Sequence, residues 1–413
     1  MKQIVAGIRA RRKILSACGV MAVGLGVLMM VYGYEETWRL WNIDTMMPHF
    51  ADLRNITSAV EAYALGYDPM KENPTDPWQR RLNYPRIWHY LSYFGIDQSH
   101  TTAMGIVFIV LFVAGVCMIM PEASTAMVLL VSGAVLSPAI LLGIERGNVD
   151  LLLFFLLAVA VCGVQRSYVV TLLAILAGVV LKFYLVFGAA VMARAKRPTC
   201  LVYLAIIAGL TGAYVYAVLP DLRLMYEATP KGGAMSYGMN VLWVQLQNYS
   251  ARLSEYARLV SYVVVVVTVI GAVVAVVGGK AARLGLHESR YIDAFRAGAA
   301  IYVGTFVLGN NWDYRLMFLI FVIPQLVIWL AQGSGWIRAG AKVMLVCMYF
   351  SMWYGVIKKV MGYVPYGREG VYVLEELSNW VMFAGLLYML VASLPSWMTG
   401  WLRGIGLRRE GSN

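Results

Sequence analysis

The sequence predicts an all-α protein that crosses a membrane many times. Three observations carry this. Of 413 residues, 60% are hydrophobic and 14% charged, with a mean hydropathy of +0.68; soluble domains carry about 45–50% apolar and about 25% charged residues. Apolar runs of about 18 residues or more recur along the chain. The charges gather in the intervals between those runs. A net charge of +12 would point to nucleic acid in a soluble protein. Here Lys and Arg collecting in cytoplasmic loops account for it, and no nucleic-acid partner is expected. Cys18, Cys117, Cys162, Cys200 and Cys347 lie in or beside apolar runs. They read as small buried hydrophobes, not as a disulfide framework or zinc site.

Lys2, Arg9, Arg11, Arg12 and Lys13 precede an apolar run from Ile14 to Tyr34. The run is too long for a signal-peptide core and reads as an uncleaved first span with its N-terminus inside. A polar loop, Glu35–Thr102, follows. In it Leu53, Ile56, Val60, Tyr63 and Ala64 share a helical face, which predicts an amphipathic helix lying along the membrane over 52–65. Gly66-Tyr67-Asp68-Pro69 ends it, with Asp68 as a turn former. Ile87–Phe94 predicts a second interfacial helix, with Trp88, Tyr90, Tyr93 and Phe94 at headgroup level. Asp44 and Asp76 read as solvated loop acids. Spans are expected at 103–120, 124–143 and 151–164, with a tight turn at Pro121-Glu122-Ala123.

The run Tyr168–Ala193 is long enough to cross, but Lys182 sits near its middle, where a lysine costs about 2.5–3.5 kcal/mol. Arg194, Lys196 and Arg197 follow it. If the run dips in and returns, Arg166 and this cluster share the cytoplasmic side. Later spans fall at 199–219, 258–278, 294–309, 315–331, 340–357 and 377–394. Inside loops then hold Lys280, Arg283 and Arg290, next Arg338 and Lys342, and finally Arg403, Arg408 and Arg409. Outside loops hold mixed charge: Asp221, Arg223, Glu227 and Lys231, and later Lys358, Lys359, Arg368, Glu369, Glu375 and Glu376. That obeys the positive-inside rule. The expectation is a single domain over 1–413 with about ten spans, a re-entrant pair over 168–193 and both termini cytoplasmic.

Under this topology Asp52, Glu145, Arg146, Asn148, Asp150, Asn310, Asn311, Asp313 and Arg315 fall at the outer face, at span ends. Asp52 is the leading carboxylate; the competing reading makes it the N-cap of the interfacial helix. Glu145-Arg146-Gly147-Asn148 joins two spans with almost no spare residues. Gly147 permits positive φ or a close backbone approach, and Arg146 can fork onto a phosphate or onto Glu145 or Asp150. Lys182 is either a cation at the base of a cavity or a snorkelling residue. His49 lies near Asp52 in sequence and reads as a loop residue. The four His are scattered, so no metal and no cofactor is implied. One carboxylate with several cations and amides suits sugar transfer from a lipid phosphate. The cations hold the leaving phosphate, and the carboxylate deprotonates the acceptor.

These features resemble the GT-C superfamily of membrane glycosyltransferases, and within it glycosyltransferase family 87, mannosyltransferases that use polyprenyl-phosphate mannose. The matching residues are Asp52, Glu145-Arg146-Gly147-Asn148-Val149-Asp150, Leu181-Lys182-Phe183-Tyr184 and Asn311-Trp312-Asp313-Tyr314-Arg315-Leu316. The resemblance implies a GT-C-like bundle and an inverting transferase with Asp52 as catalytic base. Arg146, Lys182 and Arg315 are expected on the donor phosphate, with Glu145, Asn148, Asp150, Asn311, Asp313 and Tyr314 around them. Expected partners are a polyprenyl-phosphate sugar donor, a lipid or glycan acceptor and membrane lipids. The site is expected on the outer, periplasmic face of the plasma (inner) membrane. Two alternatives stay open: a polysaccharide polymerase or ligase with a polyprenyl-diphosphate donor, and a lipid-linked sugar transporter.

Overall fold

The computed structural model describes residues 2–120, 124–277 and 290–400, with side chains from Arg12 onward. The expected turn at Pro121-Glu122-Ala123, the bases Lys280, Arg283, Arg403, Arg408 and Arg409, and the side chains of Lys2, Arg9 and Arg11 lie outside the described residues.

Helices α1 (Lys2–Tyr32), α2 (Tyr34–Leu40) and α3 (Ala51–Ala64) open the chain. Two 3₁₀ segments, Arg86–Phe94 and Gln98–His100, lead into α4 (Thr101–Ile119). Then come α5 (Thr125–Val135), α6 (Pro138–Glu145), α7 (Asp150–Gly163) and α8 (Tyr168–Leu181). A run of 3₁₀ turns, Phe183–Arg194, precedes α9 (Arg197–Ala217), α10 (Leu219–Ala228), α11 (Val241–Gln247) and α12 (Ala251–Val277). Helix α13 (Arg290–Leu308) is followed by the 3₁₀ segment Asp313–Phe321, α14 (Ile323–Gln332), α15 (Gly335–Met352), α16 (Tyr354–Met361) and α17 (Gly367–Ala392). One antiparallel ladder, β1 (Ser236–Tyr237) with β2 (Asn311–Trp312), pairs Ser236 with Trp312 and Tyr237 with Asn311.

Among the described residues, 6 helices are long and apolar enough to cross a membrane, or 9 spans if each bent pair counts as one. The 6 are Arg12–Tyr32, Gln98–Ile119, α9, α12, α13 and α17. The bent pairs are α5/α6 at 55°, 313–321/α14 at 52° and α15/α16 at 67°. This is fewer than the ten expected. The remaining expected span is α7, whose 14 residues rise about 20 Å, short of about 30 Å of hydrocarbon. Two bends have a local cause: Pro138 and Pro324 stand in the first turn of α6 and α14, where proline supplies no N–H to continue the helix before it. Helices α1, α9 and α12 turn Val23, Val27, Leu201, Val202, Val266 and Val267 outward, as a lipid-facing helix does.

The centre is built by α4, α7, α13 and the 3₁₀ segments 183–194 and 313–321. The rings of Phe112, Phe154 and Phe321 meet there. The run 168–193 breaks at Lys182 and doubles back. Gln165, ahead of α8, and Arg194, at the end of the second arm, both reach the Asp293 carboxylate, at 3.5 and 2.8 Å. The arms pack closely: a Cβ on Gly178 would stand 1.8 Å from Leu185 Cδ2. Lys182 therefore occupies the tip.

Three expectations are corrected. Helix α3 does not turn its apolar stripe to lipid: Leu53, Ile56, Ala59 and Val60 are buried, as are Asn55, Thr57 and Ser58, under segment 86–94 and α4. Asp76 is no solvated acid. It is buried, pairs with Arg80 at 2.9 Å and accepts from the Trp78 N–H at 2.9 Å, so it pins the loop over α3. Glu375 and Glu376 lie inside α17, buried, not in an outer loop. In segment 86–94 Trp88 is also buried, while Tyr90, Tyr93 and Phe94 are exposed.

Candidate functional site

The site is assembled on the turn between α6 and α7. Gly147 holds φ +59°, and a Cβ there would come within 2.9 Å of Phe50 Cβ. Phe50, itself at φ +60°, lies in the space that this glycine and Gly105 leave open. It seats the start of α3 on the turn, where the Asp52 N–H donates to the Arg146 carbonyl at 3.0 Å. Phe50 is the N-cap residue of α3, so Asp52 does not cap the helix. Instead its Oδ2 accepts from Asn148 Nδ2 at 2.5 Å. Asn148 Oδ1 accepts from the Asp150 N–H at 2.9 Å. One amide thus ties the Asp52 carboxylate to the backbone at Asp150.

Asp150 is fully buried. Its Oδ1 takes the Lys182 ammonium at 2.6 Å, and its Oδ2 stands 3.4 Å from Arg315 Nε. Lys182 is thereby held by a buried carboxylate and does not snorkel to the surface. Arg315 also donates to Asn311 Oδ1. The Asn311 amide N–H₂ is occupied by the carbonyls of Thr305, at 2.6 Å, and Gly309, at 3.0 Å, which leaves its oxygen for the guanidinium. Three tyrosines, one from the loop before segment 86–94 and one from each of segments 183–194 and 313–321, surround the lysine: Lys182 Nζ lies 5.2 Å from the Tyr84 ring and 5.7 Å from those of Tyr184 and Tyr314. The guanidinium of Arg315 lies 4.8 Å from the Tyr184 ring. Trp88 Nε1 donates to the Leu181 carbonyl at 3.4 Å and fixes the hairpin tip from the loop side. Burial, then the nearby Asp52, hold the Tyr84 phenol well above its ordinary range, so it remains a neutral hydrogen-bond donor.

Asp52, Asn148, Asp150, Lys182, Asn311, Tyr314 and Arg315 are brought together. Glu145, Arg146 and Asp313 are not part of that network. Arg146 pairs with Glu145 at 3.2 Å and donates to the Asp44 carbonyl at 2.8 Å. Glu145 accepts from the Met46 N–H at 3.3 Å. Tyr34 lies beside them, its hydroxyl pushed up to about 12 by burial and then by Glu145. The His49 ring packs tilted against Tyr34, centroids 4.1 Å apart, and makes no hydrogen bond to Asp52. Asn310 latches the 229–240 loop, exchanging hydrogen bonds with Gly232 at 3.1 and 2.6 Å. Asp313 faces a separate group formed by Glu375, Glu376, Tyr354 and Lys358. There Asp313 Oδ1, Glu376 Oε1 and the Tyr354 hydroxyl are buried without hydrogen-bond partners. No group of three His, Cys, Asp or Glu among the described residues is placed to hold a metal ion.

Sequence reasoning missed Tyr84, Tyr184 and Phe50 as site-shaping residues. Tyr184 stands two positions beyond Lys182, and Tyr84 precedes Pro85 in a loop rich in aromatics. Neither position reveals which charge its ring will face. Arg86 closes the loop over the site. It donates to both oxygens of Asp68, at 2.9 and 3.1 Å, and to Asp221 of α10 at 2.8 Å. Although burial pushes the Asp68 carboxyl up, Arg86 holds it below its usual range.

No protein-family model, curated protein or solved structure matches this chain.

Proposed function

We propose that the chain is an inverting glycosyltransferase of the GT-C kind, resembling glycosyltransferase family 87. It moves a hexose such as mannose from a polyprenyl-phosphate donor to a lipid or glycan acceptor. The observation that carries the reading is the Asn148 bridge. It ties the Asp52 carboxylate, which is in no ion pair among the described residues, to the backbone N–H of Asp150, whose own carboxylate pairs with two cations.

The acceptor hydroxyl gives its proton to Asp52 while its oxygen attacks the anomeric carbon opposite the phosphate. The new C–O bond forms as the bond from that carbon to the phosphate oxygen breaks. The bonding pair leaves on the phosphate, whose charge grows from one to two. Lys182 and Arg315 supply the cations for that growing charge. The leaving group departs as an anion, so no carboxylic-acid partner of the glycosidase type is needed. Arg146 pairs with Glu145 and the Asp44 carbonyl, keeps Nη1 without a partner and makes no contact with the Lys182–Asp150–Arg315 group, so it is not assigned to the phosphate.

The proposed setting is the plasma (inner) membrane, with the site on the periplasmic face and both termini in the cytoplasm. The 168–193 hairpin is then a re-entrant pair beside the spans. Arg194 pairs with Asp293 in the first turn of α13, which Gln165 also reaches from just past the end of α7 opposite Asp150, and Lys196, Arg197 and Arg290 are near neighbours of these two in sequence, which supports this orientation.

The buried acids Asp313, Glu375 and Glu376 favour a second reading. Ionisable groups within spans accompany ion-coupled transport, which would make the chain a lipid-linked sugar transporter. Asp52→Asn separates the two. It keeps the size and hydrogen bonding of the side chain and removes the base. Transfer from a polyprenyl-phosphate sugar is expected to fall about 10²–10⁴-fold with donor binding retained. More than about a third of wild-type turnover would pass the base role elsewhere, first to Glu145. A wild-type protein that transfers no sugar but carries the lipid-linked sugar across a vesicle bilayer is the transporter.

A further inference from the structure

We propose that Glu145 and Arg146 form an acceptor subsite that takes a neutral sugar by two neighbouring hydroxyls, one donating to the Glu145 carboxylate and one accepting from the Arg146 guanidinium. Calling that sugar the acceptor rests on the transferase reading above; the sugar site itself does not.

The turn between α6 and α7 carries two polar groups, and Asp52 neighbours both. Asn148 and Asp150 lead to Lys182 and Arg315. Glu145 and Arg146 lead to Tyr34, His49 and the 44–46 loop. The Arg146 carbonyl accepts from the Asp52 N–H at 3.0 Å, so the second group is fastened to the start of α3. Asp52 acts electrostatically on both Glu145 and Lys182. A sugar held by Glu145 and Arg146 therefore stands beside the proposed base, while the cations for the phosphate stand with Asp150.

The second group holds hydrogen-bonding capacity that the fold leaves unused. Glu145 is fully buried. Its Oε1 takes the Met46 N–H at a long 3.3 Å, and its Oε2, 3.2 Å from Arg146 Nε, makes no hydrogen bond among the described residues. Arg146 Nη2 donates to the Asp44 carbonyl at 2.8 Å, whereas Nη1 is buried with no partner. His49 Nδ1, against the Tyr34 ring, is also buried and unpartnered. Leaving such atoms unpaired costs stability, and a ligand that pairs them recovers it. The 44–46 backbone shows what fits. It offers one donor, the Met46 N–H, to the carboxylate and one acceptor, the Asp44 carbonyl, to the guanidinium. Two hydroxyls on adjacent sugar carbons offer the same pair. Asp44 and Met47 are exposed, and the Arg146 side chain keeps 15% of its surface exposed, so the pair lies just beneath a surface loop that a sugar can displace. The half-buried Tyr34 ring gives sugar C–H groups an apolar face to pack on. Charge selects against an anion. Glu145 matches Arg146 and Asp52 adds a carboxylate, so the group has no positive excess for a phosphate.

The test is binding of octyl glucoside, octyl mannoside and octyl galactoside to the purified full chain in lipid nanodiscs, followed by deoxy analogues of the best binder, each lacking one hydroxyl. The variants are Glu145→Gln and Arg146→Gln. Wild type is expected to bind at least one glycoside, and loss of either of two adjacent hydroxyls should weaken it about tenfold. A hydrogen bond to a charged group is roughly twice as strong as a neutral one. The penalty for one hydroxyl should therefore shrink to about threefold in Glu145→Gln, and that for the other to about threefold in Arg146→Gln. A merely loosened fold would weaken every analogue alike and leave both penalties at the wild-type value. Arg146→Gln, whose side chain is partly exposed, carries the test if Glu145→Gln does not fold. Polyprenyl phosphate binding should be unchanged in both variants. A wild type that binds no glycoside overturns the proposal, and so do hydroxyl penalties that are equal in wild type and variants. Octyl phosphate bound through Arg146 in place of a glycoside overturns it as well. A wild type that shows these penalties but neither binds polyprenyl phosphate nor transfers sugar removes the transferase reading and leaves the sugar site standing.

Discussion

The fit between Phe50 and Gly147 offers the sharpest structural test, through Gly147→Ala. The new methyl would meet Phe50 Cβ at 2.9 Å and Cγ and Cδ1 at 3.0 Å, at a backbone φ of +59°. Left-handed backbone costs an L-residue about 1–2 kcal/mol. Forcing Phe50 off its rotamer adds about 0.5–1.5 kcal/mol. Reduced freedom of the unfolded chain returns about 0.4–1 kcal/mol. The net is a destabilisation of about 1–3 kcal/mol. Phe50 has little room to retreat toward α4, because its ring already packs against Gly105, where an added Cβ would lie 2.7 Å from Cδ2. Gly105→Ala is therefore the matched control. It carries the clash without the backbone cost, and in a helix alanine is favoured over glycine by about 1 kcal/mol. Apparent unfolding midpoints in one detergent are the assay, at a single heating rate because unfolding of such proteins is commonly irreversible. In a Phe50→Ala background Gly105→Ala should become neutral or stabilising, and Gly147→Ala should retain only its backbone cost. A Gly147→Ala protein as stable as wild type, or a Gly105→Ala penalty that survives Phe50→Ala, would refute the wedge.

Two further expectations concern the outer loop. His89 is buried and stacks on Tyr63 at 4.8 Å; burial, then the charge on Arg86, hold its imidazole down from 6.5 to about 4. The unfolded chain therefore takes up the proton first. The stability that His89 contributes is complete above about pH 6.5 and is lost as pH falls toward about 4. The difference in unfolding midpoint between wild type and His89→Phe should follow that window, and a difference independent of pH would contradict it. The proposed orientation is read by Tyr93→Cys, since Tyr93 is exposed on segment 86–94. A membrane-impermeant maleimide added to intact cells should label it, and labelling only after the membrane is opened would reverse the topology.

The sequence by itself determined the class of protein, the break in one apolar run and the residues of the central turn. These are local properties. Composition sets the solvent a chain requires, and Lys182 in an apolar run must find a buried partner or break the helix. Gly147 allows a turn too tight for other residues. Tertiary structure alone decided which groups meet. Asp150 is claimed by Lys182 and Arg315, which come from distant parts of the chain, while Arg146, four residues from Asp150 in sequence, turns to Glu145 and the Asp44 carbonyl. An apolar stripe shows that a face avoids water but not whether lipid or protein covers it, since both are apolar. The stripe of α3 therefore read as a membrane-surface face, although the loop carrying buried Asp76 folds over that helix. Glu375 and Glu376 read as loop charges for a related reason. A carboxylate tolerates burial only through partners or protons that tertiary packing supplies, and Asp313 and Tyr354 reach these two from other segments of the chain.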